Sequence, residues 1–356
     1  MMDFNFDLLV AGCNTRCRHC YVDGGPGPMM PTEIAVACIK KLDAIAAHLS
    51  GEVTFTLDNE PMNHPHLDII LQAAAHTRFI RNYHHGMTTG IALMRRPDRA
   101  DVLRAYFRHG YRHFGLTLHG FGAHHDELVG RVGAFETALE TARFLKAQGA
   151  SIEISLMLNR FFPEDREALS RVLDELKPDV TFGAIPIFTP HRHMLAFEPY
   201  RATEETFHDL TGYLSRWALD ESALMASACR NTVRAFRENL AKHPDLADRF
   251  SKVQEEMYLT IHPDGKLYYG NTGVETRCLG ELQTLPVQET AALLRTLPGN
   301  RDYGAFYSPR DLRSQEVIYD ALEQLPQDLV YGDPESILYR AFVHLGTPTI
   351  LLSGHH

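Results

Sequence analysis

Three cysteines stand close together near the start of the chain, in the spacing C-x3-C-x2-C. They are Cys13, Cys17 and Cys20, and they follow a short apolar run at Phe6–Val10. Three thiolates cannot fill the four ligand positions of a structural zinc ion or of an ordinary ferredoxin cluster. They can bind three irons of a [4Fe–4S] cluster and leave the fourth iron open for a substrate or cofactor. The alternatives are a chance grouping, or a zinc site completed by His19 or by a distant residue.

The cysteine spacing, its position after the first predicted strand and the aromatic-type residue His19 before the third cysteine resemble the signature of the radical S-adenosylmethionine (SAM) superfamily. This resemblance implies that the three cysteines hold one [4Fe–4S] cluster and that SAM chelates the open iron. It also implies reductive cleavage of SAM to methionine and a 5′-deoxyadenosyl radical, which abstracts a hydrogen atom from a substrate. An electron donor such as flavodoxin or ferredoxin is implied as a partner.

A second motif follows the predicted strand Val53–Leu57. Asn59-Glu60-Pro61 resembles the end of the Gly-Gly-Glu-Pro motif of the superfamily, with Asp58 and Asn59 in place of the two glycines. The resemblance implies that backbone carbonyls and the Glu60 side chain bind the ammonium group of SAM. Glycine reaches backbone angles that Asp and Asn reach less easily, although these two are the next most tolerant residues. The alternative is an acidic loop between a strand and a helix.

Other predicted strand ends also resemble SAM-binding positions. Thr117 and His119 stand where the superfamily pattern has Ser and Asp, and His119 either faces the substrate or has a structural role. The resemblance implies that Thr117 binds the SAM carboxylate or ribose, Arg131 the carboxylate and Asn159 the ribose, with Ile185 under the adenine. The complete set of predicted cofactor contacts is His19, Asn59, Glu60, Pro61, Thr88, Thr117, Arg131, Asn159 and Ile185.

Strand-like and helix-like stretches alternate over the first part of the chain, which predicts an α/β fold. Parallel strands need crossover connections of this length, so the pattern predicts a partial (β/α)6 TIM-like barrel over residues 1–200. The cofactor would lie across the carboxyl ends of its strands. We expect a helical connector over residues 201–255 and a small α+β lobe with capping helices over residues 256–354.

The predicted C-terminal lobe begins with a hairpin, Tyr258–Tyr269, around a Pro-Asp-Gly turn. The hairpin resembles the start of the SPASM or twitch lobe, in which a cysteine after the second strand binds an auxiliary cluster. Gly270 and Asn271 occupy that place here. The remaining candidate thiols, Cys229 and Cys278, cannot supply the four thiolates of an ordinary cluster. We therefore expect a lobe that has kept its fold and lost its metal.

Composition and charge limit the partners and the compartment. The formal net charge of −10 argues against nucleic acid or an anionic membrane as the main partner. The chain has no basic and apolar signal sequence at its start and no run of about 18 apolar residues, so neither secretion nor a membrane span is predicted. Six cysteines, three of them in one loop, do not form a disulfide framework and favour a reducing cytoplasm.

Without an auxiliary cluster, a substrate radical has no obvious electron acceptor. The sequence therefore favours a rearrangement, an elimination or an epimerisation. Epimerisation needs a hydrogen donor on the opposite face, and Cys278 and Cys229 are the candidate catalytic thiols, with structural burial as the alternative for each. His191-Arg192-His193 could bind a substrate carboxylate, phosphate or sugar hydroxyl, or could be a solvated loop.

Two substrate classes compete, together with one non-catalytic alternative. The chain begins directly at the first predicted strand, without a leader-binding domain of the kind that peptide-modifying relatives often carry. We therefore expect a small natural-product precursor, such as a sugar, an aminocyclitol or an amino-acid derivative. The alternative substrate is a ribosomally made peptide. A non-catalytic iron–sulfur or zinc-binding protein would keep the cysteine loop but would need none of the SAM motifs.

Overall fold

The computed structural model describes residues 1–22, 24–82, 86–189, 192–243, 255–272, 275, 277–300 and 315–345. The predicted basic loop His191–His193 lies largely outside the described residues: His191 is not described, and neither are the side chains of Arg192 and His193. None of the helices in these ranges is both long enough and apolar enough to cross a membrane.

The described strands form two hydrogen-bonded groups. The first has the order β3-β2-β1-β7-β8-β9 and the second the order β4-β5-β6. The strands are β1 Asp3–Ala11, β2 Val53–Asn59, β3 Arg81–Asn82, β4 His113–Leu118, β5 Ser151–Met157, β6 Val180–Ala184, β7 Glu256–Ile261, β8 Lys266–Tyr269 and β9 Arg277–Glu281.

Backbone hydrogen bonds join the two groups where the chain leaves β3. Gly115 in β4 donates its N–H to the Gly86 carbonyl (3.3 Å) and accepts from the Thr88 N–H (3.0 Å). The pairs β1–β2, β2–β3, β4–β5 and β5–β6 are all parallel. The first six strands therefore form one wall of parallel strands, which confirms the predicted α/β class and partial barrel.

Helices alternate with these strands and then continue beyond them. They are α1 Thr32–Ala46, α2 Leu67–Ala75, α3 Ile91–Arg95, α4 Arg99–Arg108, α5 Ala123–Val129, α6 Ala134–Ala147, α7 Phe162–Leu176, α8 Glu204–Asp209, α9 Tyr213–Arg216, α10 Glu221–Arg230, α11 Val233–Lys242, α12 Val287–Thr296, α13 Gln315–Glu323 and α14 Pro334–His344. Short 3-10 helices lie at Pro61–Asn63 and Arg192–Tyr200.

The first strand is apolar on one face and polar on the other, because successive side chains of a strand point to opposite faces. Phe4, Phe6 and Leu8 are at most 1% exposed and pack in the core with the helices. The alternate residues of β1 point to the concave side, as do those of β2 and β7; these polar positions are Asp3, Asn5, Asp7, Thr54, Thr56, Asp58, Glu256 and Tyr258. The lumen of the barrel is therefore polar rather than filled by an apolar core.

The predicted hairpin forms, but β7 also extends the barrel sheet. It pairs with β1 in parallel, with Phe6 opposite Leu259, and β8 returns antiparallel to it. A second hydrophobic cluster joins α11, α13 and α14 around Phe188 and Met194. The domain boundaries after residues 200 and 255 remain predictions.

Candidate active site

The three cysteines lie on a loop that leaves the carboxyl end of β1. The loop passes very close to the following glycine-rich segment, since a Cβ on Gly12 would lie 2.3 Å from the Gly27 nitrogen. The Cys13 N–H donates to the Gly25 carbonyl at 2.8 Å. Only glycine fits at this crossing, so the segment after the cysteines fixes the path of the loop.

The end of α5 holds the other side of the cysteine loop. The backbone N–H groups of Arg16 and Arg18 donate to carbonyls in the last turn of α5, at 3.2 and 2.9 Å. The Arg131 guanidinium donates to the Asn14 carbonyl at 3.0 Å. Arg131, predicted to reach the SAM carboxylate, thus supports the backbone of the loop in this structure.

Hydrogen bonds and burial define the state of the three thiols. Thr15 Oγ1 lies 3.3 Å from Cys13 Sγ and 3.4 Å from Cys17 Sγ, and the Gly24 N–H donates to Cys20 Sγ at 3.0 Å. Burial raises the pKa of Cys17 to about 12 and that of Cys20 to about 11, and the pKa of Cys13 is raised as well. Repulsion between the neighbouring thiolates adds to this effect.

These thiols fit a cationic iron–sulfur cluster. Iron would stabilise the thiolates that burial disfavours, and binding would release their protons. In the described ranges, no three His, Cys, Asp or Glu side chains converge closely enough to hold a single metal ion. A [4Fe–4S] cluster does not require such convergence, because each cysteine binds a different iron.

A cavity of about 180 Å³ lies beside the cysteine loop. Four of the predicted cofactor contacts line this cavity together with Cys17. The polar residues in its lining are Thr15, His19, Asn59, Thr88, Thr89, Thr117, His119 and His125. The walls are completed by apolar side chains that include Leu116 and Val129. Because these groups come from the ends of β2, β4 and the segment after β3, the cavity lies where the fold predicts the cofactor.

Asn59, at the end of β2, has a left-handed backbone with φ 63°. The Asp58 carboxylate accepts the Asn59 N–H at 2.7 Å and fixes this turn. The turn needs the freedom that glycine supplies in the related motif, and Asn is one of the few other residues that adopt it readily. The Asn59 side chain is therefore placed at the cavity by a backbone conformation that few other residues adopt.

We expect Asn59→Gly to keep the free energy of unfolding close to that of the parent, whereas Asn59→Val should lose about 1–2 kcal/mol, because a β-branched residue is strained at this φ. Urea unfolding of the two variants side by side measures the difference. Equal stability of the glycine and valine variants would show that the left-handed turn is not required.

Glu60 is fully buried and connects the ends of two strands. Its carboxylate accepts the Thr88 hydroxyl at 2.9 Å, the Thr89 N–H at 2.8 Å and the Thr89 hydroxyl at 2.7 Å. Burial raises its pKa despite these bonds. Glu60 was predicted to bind the SAM ammonium; here its carboxylate joins β2 to the segment after β3, and Pro61 begins the buried 3-10 helix that follows.

Three histidine rings lie next to one another along one wall of the cavity, each tilted by 43° to the next. The ring centroids of His19 and His119 are 4.3 Å apart, and those of His119 and His125 are 5.2 Å apart. Burial lowers the pKa of His125 to about 4 and that of His119 well below its usual range. Both rings are therefore neutral at physiological pH. His125 was not among the predicted site residues, although the His-Asp pair that it forms with Asp126 resembles part of the superfamily pattern after strand four.

Two other predicted contacts lie outside the lining of this cavity. Asn159 is fully buried and donates to the carbonyls of His119 (2.7 Å) and Met157 (2.9 Å), while its oxygen accepts the Phe161 N–H (3.0 Å). It therefore orients the backbone at His119. Ile185 follows β6 and packs, partly buried, against the main core. Their contacts with SAM remain predictions.

Both candidate hydrogen-donor thiols are exposed. Cys229 lies on α10, and Cys278 lies on β9 opposite Tyr268. Neither is in the lining of the cavity beside the cysteine loop or of the lumen cavity described next. Their catalytic role remains a prediction.

A larger cavity of about 610 Å³ occupies the lumen beside β1, β2 and β7. Asn59 and Met87 line both this lumen cavity and the cavity beside the cysteine loop. Two compartments therefore meet at the end of β2, one next to the cysteine loop and one inside the barrel.

Comparison with known proteins gives a family match for part of the chain and a fold for most of it. Residues 8–173 match the radical SAM superfamily. No curated protein matches the chain in sequence. Among solved structures, anSMEcpe with bound AdoMet and Cp18Cys peptide matches with a TM-score of 0.51 and 12% identity, over 98% of both chains.

Two further structures show the same fold. The anSMEcpe complex with AdoMet and Kp18Cys peptide has a TM-score of 0.54 and 11% identity, over 98% of this chain and 99% of that chain. SuiB of Streptococcus suis bound to S-adenosylmethionine has a TM-score of 0.50 and 11% identity, over 83% of this chain and 68% of that chain. At these identities the structural likeness shows the fold alone.

Proposed function

We propose that this chain, whose residues 8–173 match the radical SAM superfamily, abstracts a hydrogen atom from a small natural-product precursor held in the barrel lumen. Its cofactors are a [4Fe–4S] cluster and SAM, which together supply the 5′-deoxyadenosyl radical when bound. The observation that carries the proposal is the lumen cavity of about 610 Å³, which meets the cavity beside the cysteine loop at Asn59 and Met87.

The size and lining of the lumen cavity support a small polar substrate. Small-molecule sites have volumes of roughly 300–1,000 Å³, so the cavity is large enough for a sugar or an aminocyclitol. Thr54 and Thr56 present hydroxyl groups to it, and Asn5 and Asn271 present amides. Such groups orient a ligand that is rich in hydroxyl or amino groups. On the opposite side, Asn59 and Thr88 would hold SAM.

The placement of the thiols bears on the fate of the substrate radical. Rearrangement and elimination need no second hydrogen donor. Epimerisation needs one, and Cys229 and Cys278 are exposed and do not line the lumen cavity. We therefore favour rearrangement or elimination over epimerisation. By sequence count, only three cysteines remain outside the loop, too few for a four-thiolate auxiliary cluster.

The second candidate function is the modification of a ribosomally made peptide. Its support is the likeness to anSMEcpe structures that contain bound peptides, over 98% of this chain. In that case a single side chain of the peptide would enter the lumen cavity and the backbone would remain outside.

The two candidates differ in the molecule that donates the hydrogen atom. The organism that encodes the protein is grown in deuterated medium, and its extract is separated into low-mass and peptide fractions. Each fraction is incubated anaerobically with the reconstituted protein, a reductant and unlabelled SAM. We expect the low-mass fraction to transfer deuterium into 5′-deoxyadenosine, detected by mass spectrometry. Protease treatment of that fraction should leave the transfer unchanged.

An extract from ordinary medium is the control for exchange from solvent. Deuterium transfer only from a protease-sensitive fraction would support the peptide candidate instead. Accumulation of unlabelled 5′-deoxyadenosine with both deuterated fractions would overturn both candidates.

A further inference from the structure

The imidazole of His119 is buried with one of its ring nitrogens unpaired. The residue is 3% exposed, and its Nδ1 has no hydrogen-bond partner among the described residues. A buried polar atom without a partner destabilises the folded protein unless a ligand supplies the missing group. The ring lines the cavity of about 180 Å³ beside the cysteine loop. His119 therefore points to a ligand in that cavity.

The surroundings of His119 hold its ring in place. The backbone N–H of His119 donates to His125 Nδ1 at 3.2 Å, and its carbonyl accepts from the Asn159 amide at 2.7 Å. The rings of His19 and His125 lie on either side, at centroid distances of 4.3 and 5.2 Å, and limit the rotation of the imidazole. Nδ1 is thus a preorganised group, which a ligand can use with little loss of side-chain entropy.

The bond between the two histidines also makes this wall of the cavity uncharged. His125 Nδ1 accepts a hydrogen bond and so carries no proton, which leaves a neutral ring with its proton on Nε2. Burial lowers the pKa of His119 well below its usual range. Both rings therefore offer hydrogen bonds to a ligand without adding a charge.

The rest of the cavity is uncharged as well. Of the described residues in its lining, none is Asp, Glu, Lys or Arg, and the thiol of Cys17 is assigned to the cluster. The lumen cavity differs, since it contains carboxylates such as Asp7 and Asp58. An enclosed site without charged groups favours the uncharged part of a ligand. In SAM the charges belong to the methionine half, whereas the nucleoside half has only hydroxyl groups and ring or amino nitrogens.

We propose that His119 is a cofactor-binding residue of this chain and that its Nδ1 hydrogen-bonds the uncharged nucleoside half of SAM. The superfamily pattern has Asp at this position, and a carboxylate would place a charge in a wall that is neutral here. His125 and Asn159 position His119 through its backbone. The inference concerns the cofactor and does not depend on which substrate the lumen holds.

Three substitutions of His119 separate the effect of its nitrogen from that of its shape. His119→Asn keeps an amide close to the position of Nδ1, His119→Gln places one close to Nε2, and His119→Phe keeps an aromatic ring without nitrogen. SAM binding to each reconstituted, unreduced protein is measured by equilibrium dialysis. We expect about tenfold weaker binding in His119→Phe and His119→Gln, because one hydrogen bond is lost, and binding within about threefold of the parent in His119→Asn.

Two fragments of SAM identify the half that His119 contacts. 5′-Methylthioadenosine carries the nucleoside without the amino acid, and methionine carries the amino acid without the nucleoside. His119→Phe should weaken the binding of 5′-methylthioadenosine by about the same factor as that of SAM, and should leave the binding of methionine unchanged. Weaker binding of methionine with unchanged binding of 5′-methylthioadenosine would overturn the inference.

A purely structural role for His119 gives a different result. Loss of packing would lower the urea midpoint of the metal-free protein, whereas His119→Phe should keep or raise that midpoint, because it removes an unpaired buried nitrogen. His208→Phe, the same change at an exposed position of α8, is the matched control and should bind SAM as the parent does. Parental SAM binding by His119→Phe, or a lowered midpoint together with weak SAM binding in all three His119 variants, would contradict the assignment.

Discussion

Anaerobically reconstituted Cys17→Ser is expected to lose the iron–sulfur cluster and to form no 5′-deoxyadenosine, whereas the parent should hold about four irons per chain. Cys17 lies in the middle of the loop, and burial raises its pKa to about 12. The thiol can ionise at neutral pH only when a metal stabilises the thiolate. A serine hydroxyl ionises much less readily than a thiol, so the variant has two effective ligands and an unstable site.

Iron content, the visible absorbance of the cluster and 5′-deoxyadenosine yield are measured together. Cys229→Ser is the matched control, because it makes the same change at an exposed thiol on α10. It should keep the iron and the cleavage of SAM in the absence of substrate. A Cys17→Ser protein with parental iron and parental 5′-deoxyadenosine would refute the assignment of the loop.

The second large effect is expected from Glu60→Ala. The substitution leaves the Thr88 hydroxyl and both donors of Thr89 without their acceptor inside the protein. A buried donor left unpaired costs roughly 1–3 kcal/mol, and Thr89 is half-buried, so the summed loss of unfolding free energy is about 3 kcal/mol. The ends of β2 and of the segment after β3 would separate, and both line the cavity beside the cysteine loop. SAM binding should therefore weaken along with stability.

Chemical denaturation of the metal-free protein measures the stability, and equilibrium dialysis of the reconstituted protein measures SAM binding. Glu140→Ala, on the exposed face of α6, is the control and should change stability by about 0.5 kcal/mol at most. If Glu60→Ala were as mild as Glu140→Ala, the carboxylate would not be the connection between the two strands that the geometry indicates.

The fold was largely predictable because its signals are local. The alternation of strands and helices gave the partial barrel, and the Pro-Asp-Gly turn gave the hairpin of β7 and β8. The pairing of β7 with β1 was not predictable. The alternating apolar residues Met257, Leu259 and Ile261 indicate that one face of β7 is buried. Such an alternation does not indicate which strand β7 pairs with.

The site was predicted in part for the same reason. The cysteine spacing, Asn59 and Thr88 belong to motifs of a few residues each, and the structure brings Cys17, Asn59 and Thr88 to one cavity. Glu60 and Asn159 were expected to contact SAM; their side chains bond to neighbouring protein groups, and their contacts with SAM remain predictions. Sequence position locates such a residue at a strand end but does not determine the direction of its side chain.

Part of the polar lining of the lumen was predictable from the sequence. Asp3, Asn5 and Asp7 alternate with Phe4 and two further buried apolar residues, so a polar inner face could have been inferred. The full lining of the lumen also includes the polar faces of β2 and β7. Only the strand order, which the sequence does not give, places these faces beside that of β1. The contact between His119 and His125 depends likewise on the turn after β4, which no pattern in the sequence specified.

The central claim is that this chain cleaves SAM reductively to start radical chemistry. The most direct test is to incubate the reconstituted, reduced protein with SAM under anaerobic conditions and to quantify the products by liquid chromatography and mass spectrometry. We expect 5′-deoxyadenosine and methionine in equal amounts. Intact SAM with a fully loaded and reduced cluster, or 5′-methylthioadenosine as the product, would contradict the account.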